Sequence, residues 1–280
     1  MAMSGQRLSR NGQRRPDRQV RAVERAPRPL AGFARDYPPG DWTGRHAHPR
    51  AQLLHAISGV MRVQTDAALF TVPPGYGLWL PAGQAHGVGM DGAVAMRALF
   101  LRRDAAQAGP AEPTVIAVSP LLRELILAVC AEPASWDEQG PAALVAALVV
   151  IEIGRAPRLP LAVPAPRDRR LLRAASVLRA DPADPRTLGE LAEVAGASAR
   201  TLARLFLRDT GMSFSAWRQT LRLTHAWGRL AAGDPPARAA AAAGYASLPA
   251  FGAAFRAAFG TTPARAARGA RGRIGDKDRA

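Results

Sequence analysis

Three histidines and a set of arginines carry the chemistry of this 280-residue chain. His46 and His48 stand two apart in a stretch that reads as β-strand, so their imidazoles project to one face. His86, from another strand, completes a facial imidazole set suited to a divalent metal. The alternative reading of the three is as pocket-lining or hydrogen-bonded histidines. The arginines lie in the C-terminal third. Arg200 and Arg204 are four apart on an expected helix and share a face opposite Phe206. Arginine there suits the guanine edge in a major groove.

The elements that must position Arg200 and Arg204 are legible from caps and apolar stripes. Thr187 and Glu190 form a capping box ahead of Leu188, Leu191, Ala192 and Ala195, and Gly196 stops that helix. After a three-residue turn, Ser198 caps a second helix with Leu202, Leu205 and Phe206 inside and Gly211 at its end. The same grammar returns 49 residues later, where Ser247, Phe251, Phe255 and Gly260 echo Ser198, Leu202, Phe206 and Gly211. Between the units, Phe214 to Ala231 reads as one helix about 27 Å long, near the ~34 Å between successive major grooves on one DNA face. A single helix-turn-helix pattern is equally at home in a helical bundle that never meets DNA; the duplication and the charge weigh against that reading.

These residues resemble the AraC/XylS family of transcription regulators over about residues 167–268. The matching positions include Leu191-Ala192, the run Trp217-Arg218-Gln219-Thr220-Leu221-Arg222-Leu223, Gly244-Tyr245-Ala246-Ser247, Phe255-Arg256, Phe259-Gly260 and Pro263. The resemblance implies a seven-helix domain with Ser198 to Leu207 and Ser247 to Ala258 as recognition helices. It implies DNA contacts from Ser198, Arg200, Thr201, Ala203 and Arg204, and from Ser247, Pro249, Ala250, Ala253 and Arg256. Pro249, Ala250 and Ala253 stand where the family often has polar base readers, so the first unit is expected to supply most base discrimination. The second is expected to grip phosphates through Ser247 and Arg256.

The histidines need a different scaffold. From Trp42 to Leu101 short apolar runs alternate with Gly and Pro, an all-β reading. Gly40, His46, His48, Gln52 and Gly59, then Gly75, Pro81, Gly83 and His86, are spaced as in the two motifs of the cupin superfamily. That likeness implies a small β-barrel, and more narrowly the cupin sensor joined to AraC-type domains. Gln52 stands where metal-binding cupins usually have Glu, which removes the anionic ligand. The expected effector pocket comprises His46, His48, Gln52, Trp79 and His86, with Trp42, His55 and Met96 as further lining. His46, His48, Gln52 and His86 are the candidate metal ligands, although no cofactor is required. The nearest likeness is to regulators of drug or metabolite exporters, with a metabolic operon equally compatible.

Helices are expected at Pro120 to Ala131 and Pro141 to Gly154; the second is apolar on almost every face and needs a partner. They resemble the dimerisation elements of this family. The prolines at 157, 160, 164 and 166 argue against helix and central strand and mark a linker. The fold class is therefore α+β and multidomain: a small cupin β-barrel, then an all-α domain of two helix-turn-helix units joined by a long helix. The expected boundaries are a disordered basic tail at 1–30, the barrel at 31–104, dimerisation helices at 115–156, the linker at 157–166, the DNA-binding domain at 167–268 and a disordered tail at 269–280.

The net charge of +16 is uneven: +7 over residues 1–35, −2 over 36–166 and +9 over 167–268. That asymmetry suits one domain that meets phosphates and one that does not. Only one cation, Lys277, is a lysine, and a GC-rich coding bias accounts for that as well. Cys130 alone permits no internal disulfide. No apolar run reaches the ~18 residues of a membrane span, and no secretory signal is evident, so a cytoplasmic protein is expected. The expected function is a sequence-specific regulator, not an enzyme, controlled by a small molecule in the barrel. Its expected partners are double-stranded operator DNA, that effector, a second copy of the chain and RNA polymerase. The rivals are a metal-dependent cupin enzyme, supported by the histidines alone, and a nonspecific DNA-binding protein. Nothing in the residues separates activator from repressor.

Overall fold

A computed structural model describes residues 18–271. In chain order the strands are β1 (Leu30–Tyr37), β2 (Ala51–Thr65), β3 (Ala68–Val72), β4 (Tyr76–Leu80), β5 (His86–Leu101), β6 (Thr114–Ala117), β7 (Arg158–Leu159) and β8 (Ala162–Pro164). The helices are α1 (Arg18–Glu24), α2 (Pro120–Ala131), α3 (Pro141–Arg155), α4 (Arg169–Ala180), α5 (Leu188–Ala195), α6 (Ala199–Thr210), α7 (Phe214–Ala231), α8 (Pro236–Ala242), α9 (Leu248–Phe259) and α10 (Pro263–Arg271). Two compact units result. One holds the residues up to Thr65 together with Pro74–Leu159; the other holds Asp66–Pro73 and the residues from Pro160 onward.

The first unit is an antiparallel sheet in the order β1-β5-β2-β4-β6-β7. Its spine is the long β2–β5 pair, whose register shifts between Ala56 and Val60. Gly59 sits in that irregularity at φ +78°, where a Cβ would meet the Ala93 carbonyl oxygen at 2.1 Å. A bulge there bends the ribbon and lets the sheet curl. Alternation then sorts side chains. Leu53, Trp79, Leu99 and Leu101 turn to a core shared with Leu122, Leu125, Ile126 and Val129 of α2 and Val149 and Ile153 of α3. Helix α2 sits directly on β1, because Gly32 leaves no side chain between them: a Cβ there would lie 2.5 Å from the Val129 carbonyl oxygen.

The second unit is seven-helical, α4 to α10, with the antiparallel β3–β8 ribbon beside it. Leu171, Leu178, Leu191, Leu202, Leu205, Phe206 and Trp217 fill one core. The Trp217 indole N–H donates to the Pro164 carbonyl at 2.8 Å. Further along α7, Trp227 stacks on Phe255 of α9 at 5.1 Å between ring centroids. Helix α7 thus joins both helix-turn-helix units through one tryptophan each.

Three expectations need correction. The segment expected to be a structureless tail includes α1, with Val23 and Ala26 buried; the part of that tail before residue 18 lies outside the described residues. At the other end α10 runs to Arg271, and residues 272–280 lie outside them too. The proline-rich linker carries two short strands, since β7 pairs only with β6 and β8 only with β3, edge positions that tolerate proline. Beyond these, β3, expected within the barrel, pairs with β8 through Ala68↔Pro164, Leu69↔Val163 and Phe70↔Ala162, and Asp66–Pro73 counts with the second compact unit.

Two glycines give opposite expectations. Gly32→Ala forces α2 off β1 and lowers stability by about 1–3 kcal/mol, as overpacking does. Gly252→Ala in α9 meets no atom within 4 Å and raises it by about 0.5–1 kcal/mol through chain entropy. Urea unfolding followed by circular dichroism measures both.

Candidate DNA interface and effector pocket

Each reading helix is set by its caps. Ser198 Oγ accepts from Thr201 N at 3.2 Å and bonds Thr201 Oγ1 at 2.9 Å, and Gly211 ends α6 in the left-handed region. Thr201 is therefore half-buried in the cap. Leu202, Leu205 and Phe206 turn inward, leaving Arg200, Ala203 and Arg204 exposed on one face. Other arginines of this unit are neutralised: Arg170 by Asp168, Arg186 by Asp184, Arg208 by Asp168 and Asp209. Arg200, Arg204 and Arg256 have no ion pair among the described residues. Unpaired cations on a helix face are what a polyanion can engage.

In the second unit Ser247 Oγ accepts from Ala250 N at 3.3 Å, and Phe251 and Phe255 are buried. Pro249, Ala250, Ala253 and Arg256 are exposed as expected. So is Leu248, 49% accessible, which sequence reasoning did not single out; its place directly after the cap was the available signal. The outer face of α9 is thus hydrocarbon with one guanidinium at its C-terminal end.

The histidines do meet. His46 and His86 exchange backbone hydrogen bonds of 2.8 Å in an isolated bridge. Ring centroids are 4.5 Å apart for His46 and His86, 4.8 Å for His46 and His48, and 5.4 Å for His48 and His86. One ring nitrogen of each lies within 4.8 Å of the others. The Nδ1 atoms are already engaged, with the Gly44 carbonyl for His46 (2.9 Å), the Gln84 carbonyl for His86 (2.9 Å) and Glu24 Oε1 for His48 (2.6 Å). Carbonyl and carboxylate oxygens only accept, so each Nδ1 carries its proton and each Nε2 presents a lone pair. Burial pushes His86 down to about 3 and His48 down to about 4, and it lowers His46 as well. All three are neutral imidazoles near pH 7.

Gln52 pairs in register with Phe100, whose ring is 5.0 Å from that of His48, so Gln52 faces the same side as the histidines. Its Oε1 and the Nε2 of His86 are buried without a hydrogen-bond partner. Three neutral imidazoles with one ring nitrogen each within 4.8 Å of the others are a donor set whose chemistry fits a divalent cation.

Two expected pocket residues are elsewhere. Trp79 lies on the opposite face of the sheet, in the core under α2 and α3, and its indole N–H donates to Pro110 O at 2.8 Å. It pairs with Leu53, and His55 shares the Leu53 face, bonding the Tyr76 carbonyl at 2.9 Å. Strand parity decided both cases. Met96 is on the histidine side, in the Phe100 set. Trp42 packs flat over Gly87, where a Cβ would meet its ring at 2.4 Å.

A helix-turn-helix domain family matches residues 191–269, and a cupin domain family matches residues 34–102. The HTH-type transcriptional regulator NimR of Escherichia coli (strain K12) is 30% identical over 220 residues, covering 79% of this chain and 80% of that protein. The HTH-type transcriptional regulator RipA of Corynebacterium glutamicum is 44% identical over 109 residues, covering 39% of this chain and 32% of that one. Among solved structures, an AraC-type transcriptional regulator from Chromobacterium violaceum is 28% identical, with a TM-score of 0.35 over 36% of this chain and 91% of that one. The chain belongs to the AraC/XylS family of HTH-type transcriptional regulators, with a cupin domain ahead of its DNA-binding helices.

Proposed function

We propose that this regulator binds operator DNA with α6 as its main reader of bases, and that a small molecule in the cupin domain controls the affinity. The observation that carries the first part is the pair Arg200 and Arg204, exposed on one face of α6 and without acidic partners. The hydrocarbon face of α9 has only van der Waals contacts to offer, to thymine methyls for example, and Arg256 supplies phosphate attraction. Effector control requires unequal affinity of the effector for the DNA-competent and DNA-incompetent states.

The barrel serves as a sensor and not as an enzyme. His46, His48, His86 and Gln52 hold a divalent cation there, and because all four donors are neutral, its charge is left for an anionic or carbonyl oxygen of the effector. That cation anchors a ligand; the duplicated helix-turn-helix, which an enzymatic reading leaves without a purpose, supplies the output. No described helix is long and apolar enough to cross a membrane, which accords with a protein acting in the cytoplasm.

The regulator works as a homodimer joined through α3. Leu144, Leu148 and Ile151 lie along one stripe of that helix and are 71%, 44% and 50% exposed, while Ala146, Val149 and Ile153 on the opposite face are buried. An apolar stripe of this kind is covered in an assembly.

Three outcomes test these readings. In a binding-site selection at physiological salt, Arg200→Ala and Arg204→Ala each lose about 1–3 kcal/mol of base discrimination, whereas Arg256→Ala weakens all sites alike; unchanged preference in the first two removes α6 as the reader. By light scattering at micromolar concentration, the wild type is a dimer and Leu148→Glu a monomer; a monomeric wild type overturns the dimer. After dialysis against Co²⁺, elemental analysis finds one ion per wild-type chain and none in His86→Ala; an empty wild type eliminates the metal.

A further inference from the structure

We propose that helix α1 belongs to the metal site: Glu24 is the carboxylate that orients and polarises His48, replacing from outside the barrel the negative charge that Gln52 withholds inside it. The inference rests on the metal reading above and assigns a positioning residue to it. Of the three histidines, two have a neutral backbone carbonyl at Nδ1, while His48 alone has an acidic side chain there, at 2.6 Å. A carboxylate on the remote nitrogen of a ligating imidazole fixes its tautomer and raises its basicity. His48 is therefore the one imidazole of the set with an anionic partner on its remote nitrogen.

Glu24 is held in place by a dedicated clamp. Arg50, two residues after His48 and only 8% exposed, spends its guanidinium on three backbone carbonyls of the segment that follows α1. Its Nε donates to Glu24 O at 3.0 Å, Nη1 to Arg28 O at 2.9 Å and Nη2 to Ala26 O. Val23 and Ala26, each 5% exposed, seat the same segment on apolar surface. The arginine thus pins the main chain of Glu24, and the side chain reaches the histidine. His48 and Arg50 sit on one short stretch, so the stretch that presents the ligand also recruits its carboxylate. The net effect is to place one negative charge against a donor set that otherwise has none, without using up a coordination position. The open positions are left to the effector.

The test uses the full-length protein and Co²⁺ alone, with affinity from calorimetry and coordination from the visible spectrum. Glu24→Gln keeps the size and an acceptor oxygen but not the charge; it is expected to weaken Co²⁺ about 10–100-fold at unchanged stoichiometry. Arg50→Met, which frees the segment while leaving Glu24 in the chain, is expected to weaken it comparably. A proton spectrum supplies the readout that loss of fold would not imitate. The His48 Nδ1 proton, far downfield in the wild type, moves upfield in Glu24→Gln, while those of His46 and His86 stay in place. Unchanged Co²⁺ affinity in Glu24→Gln overturns the role of Glu24 and leaves the metal site standing. A wild type that binds no Co²⁺ removes the metal reading, and this proposal with it.

Discussion

The β2–β5 pairing is the constraint on which the sensor unit depends. Thirteen register pairs tie two long strands together, and within them each residue is committed to one face or the other by a period of two. Gln52 and Phe100 go to the histidine side, Leu53 and Leu99 to the helices. The irregularity at Ser58 and Gly59 then bends the ribbon without exchanging those commitments for the residues ahead of it. His86, the first residue of β5, is opposite Thr65 in that pairing and makes a separate antiparallel bridge to His46, which brings its ring to the segment carrying His46 and His48. A pocket of neutral imidazoles on one side and an apolar core under α2 and α3 on the other are two results of one ladder.

The helical unit depends in a similar way on α7. Trp217 near its start sits in the core of the first helix-turn-helix and Trp227 near its end stacks on Phe255 of the second. Its polar residues serve the scaffold too: Arg222 Nε donates to Pro182 O at 2.9 Å, and Arg218 Nη1 to Arg186 O at 2.8 Å. Arginine in this unit therefore has two occupations. Those that bond backbone or carboxylates stiffen the domain, and those left exposed, among them Arg200 and Arg204 on α6, Arg256 on α9, Arg169 on α4 and Arg265 on α10, define its outward charge. The high overall charge conceals that division, which is drawn by a few aspartates, Asp168, Asp184 and Asp209.

Buried polar atoms without a partner occur in both units, at Gln52 Oε1 and His86 Nε2 in the first and at Thr224 Oγ1 of α7 in the second. The capping hydroxyls of α6, α7 and α9 are used: Ser198, Ser213 and Ser247 each accept from a backbone N–H. On the histidine side of the barrel, Gln52 Oε1 and His86 Nε2 are buried without a hydrogen-bond partner. A buried acceptor without a partner is costly unless something cationic or protic completes it.

Much of this was legible in the sequence because it rests on short-range rules. Caps, glycine stops and stripes at helical spacing placed α2, α3, α5, α6, α7 and α9 within a few residues, and the repeat at an offset of 49 exposed the duplication. The cupin-like spacing of His46, His48 and His86 announced the cluster, although His46 and His48 lie in the segment ahead of β2 and not on a strand as expected. What the chain by itself left open was decided by contacts distant in sequence. Trp79 and His55 fell on the core face because the register of β2 against β4 set their parity, which composition does not reveal. The prolines of the supposed linker were accommodated at strand edges, where the missing N–H has no partner to lose. Glu24 lay in what looked like a basic tail, since a seven-residue helix shows no periodicity of its own. Only when Arg50 draws that segment onto the barrel does its carboxylate meet His48, 24 residues away in sequence and 2.6 Å away in space. The sequence alone determined the family and the helices with clear caps and stripes, since both follow from local pattern. Tertiary structure decided which side chains share a site, since that depends on register and on long-range hydrogen bonds that no local pattern encodes.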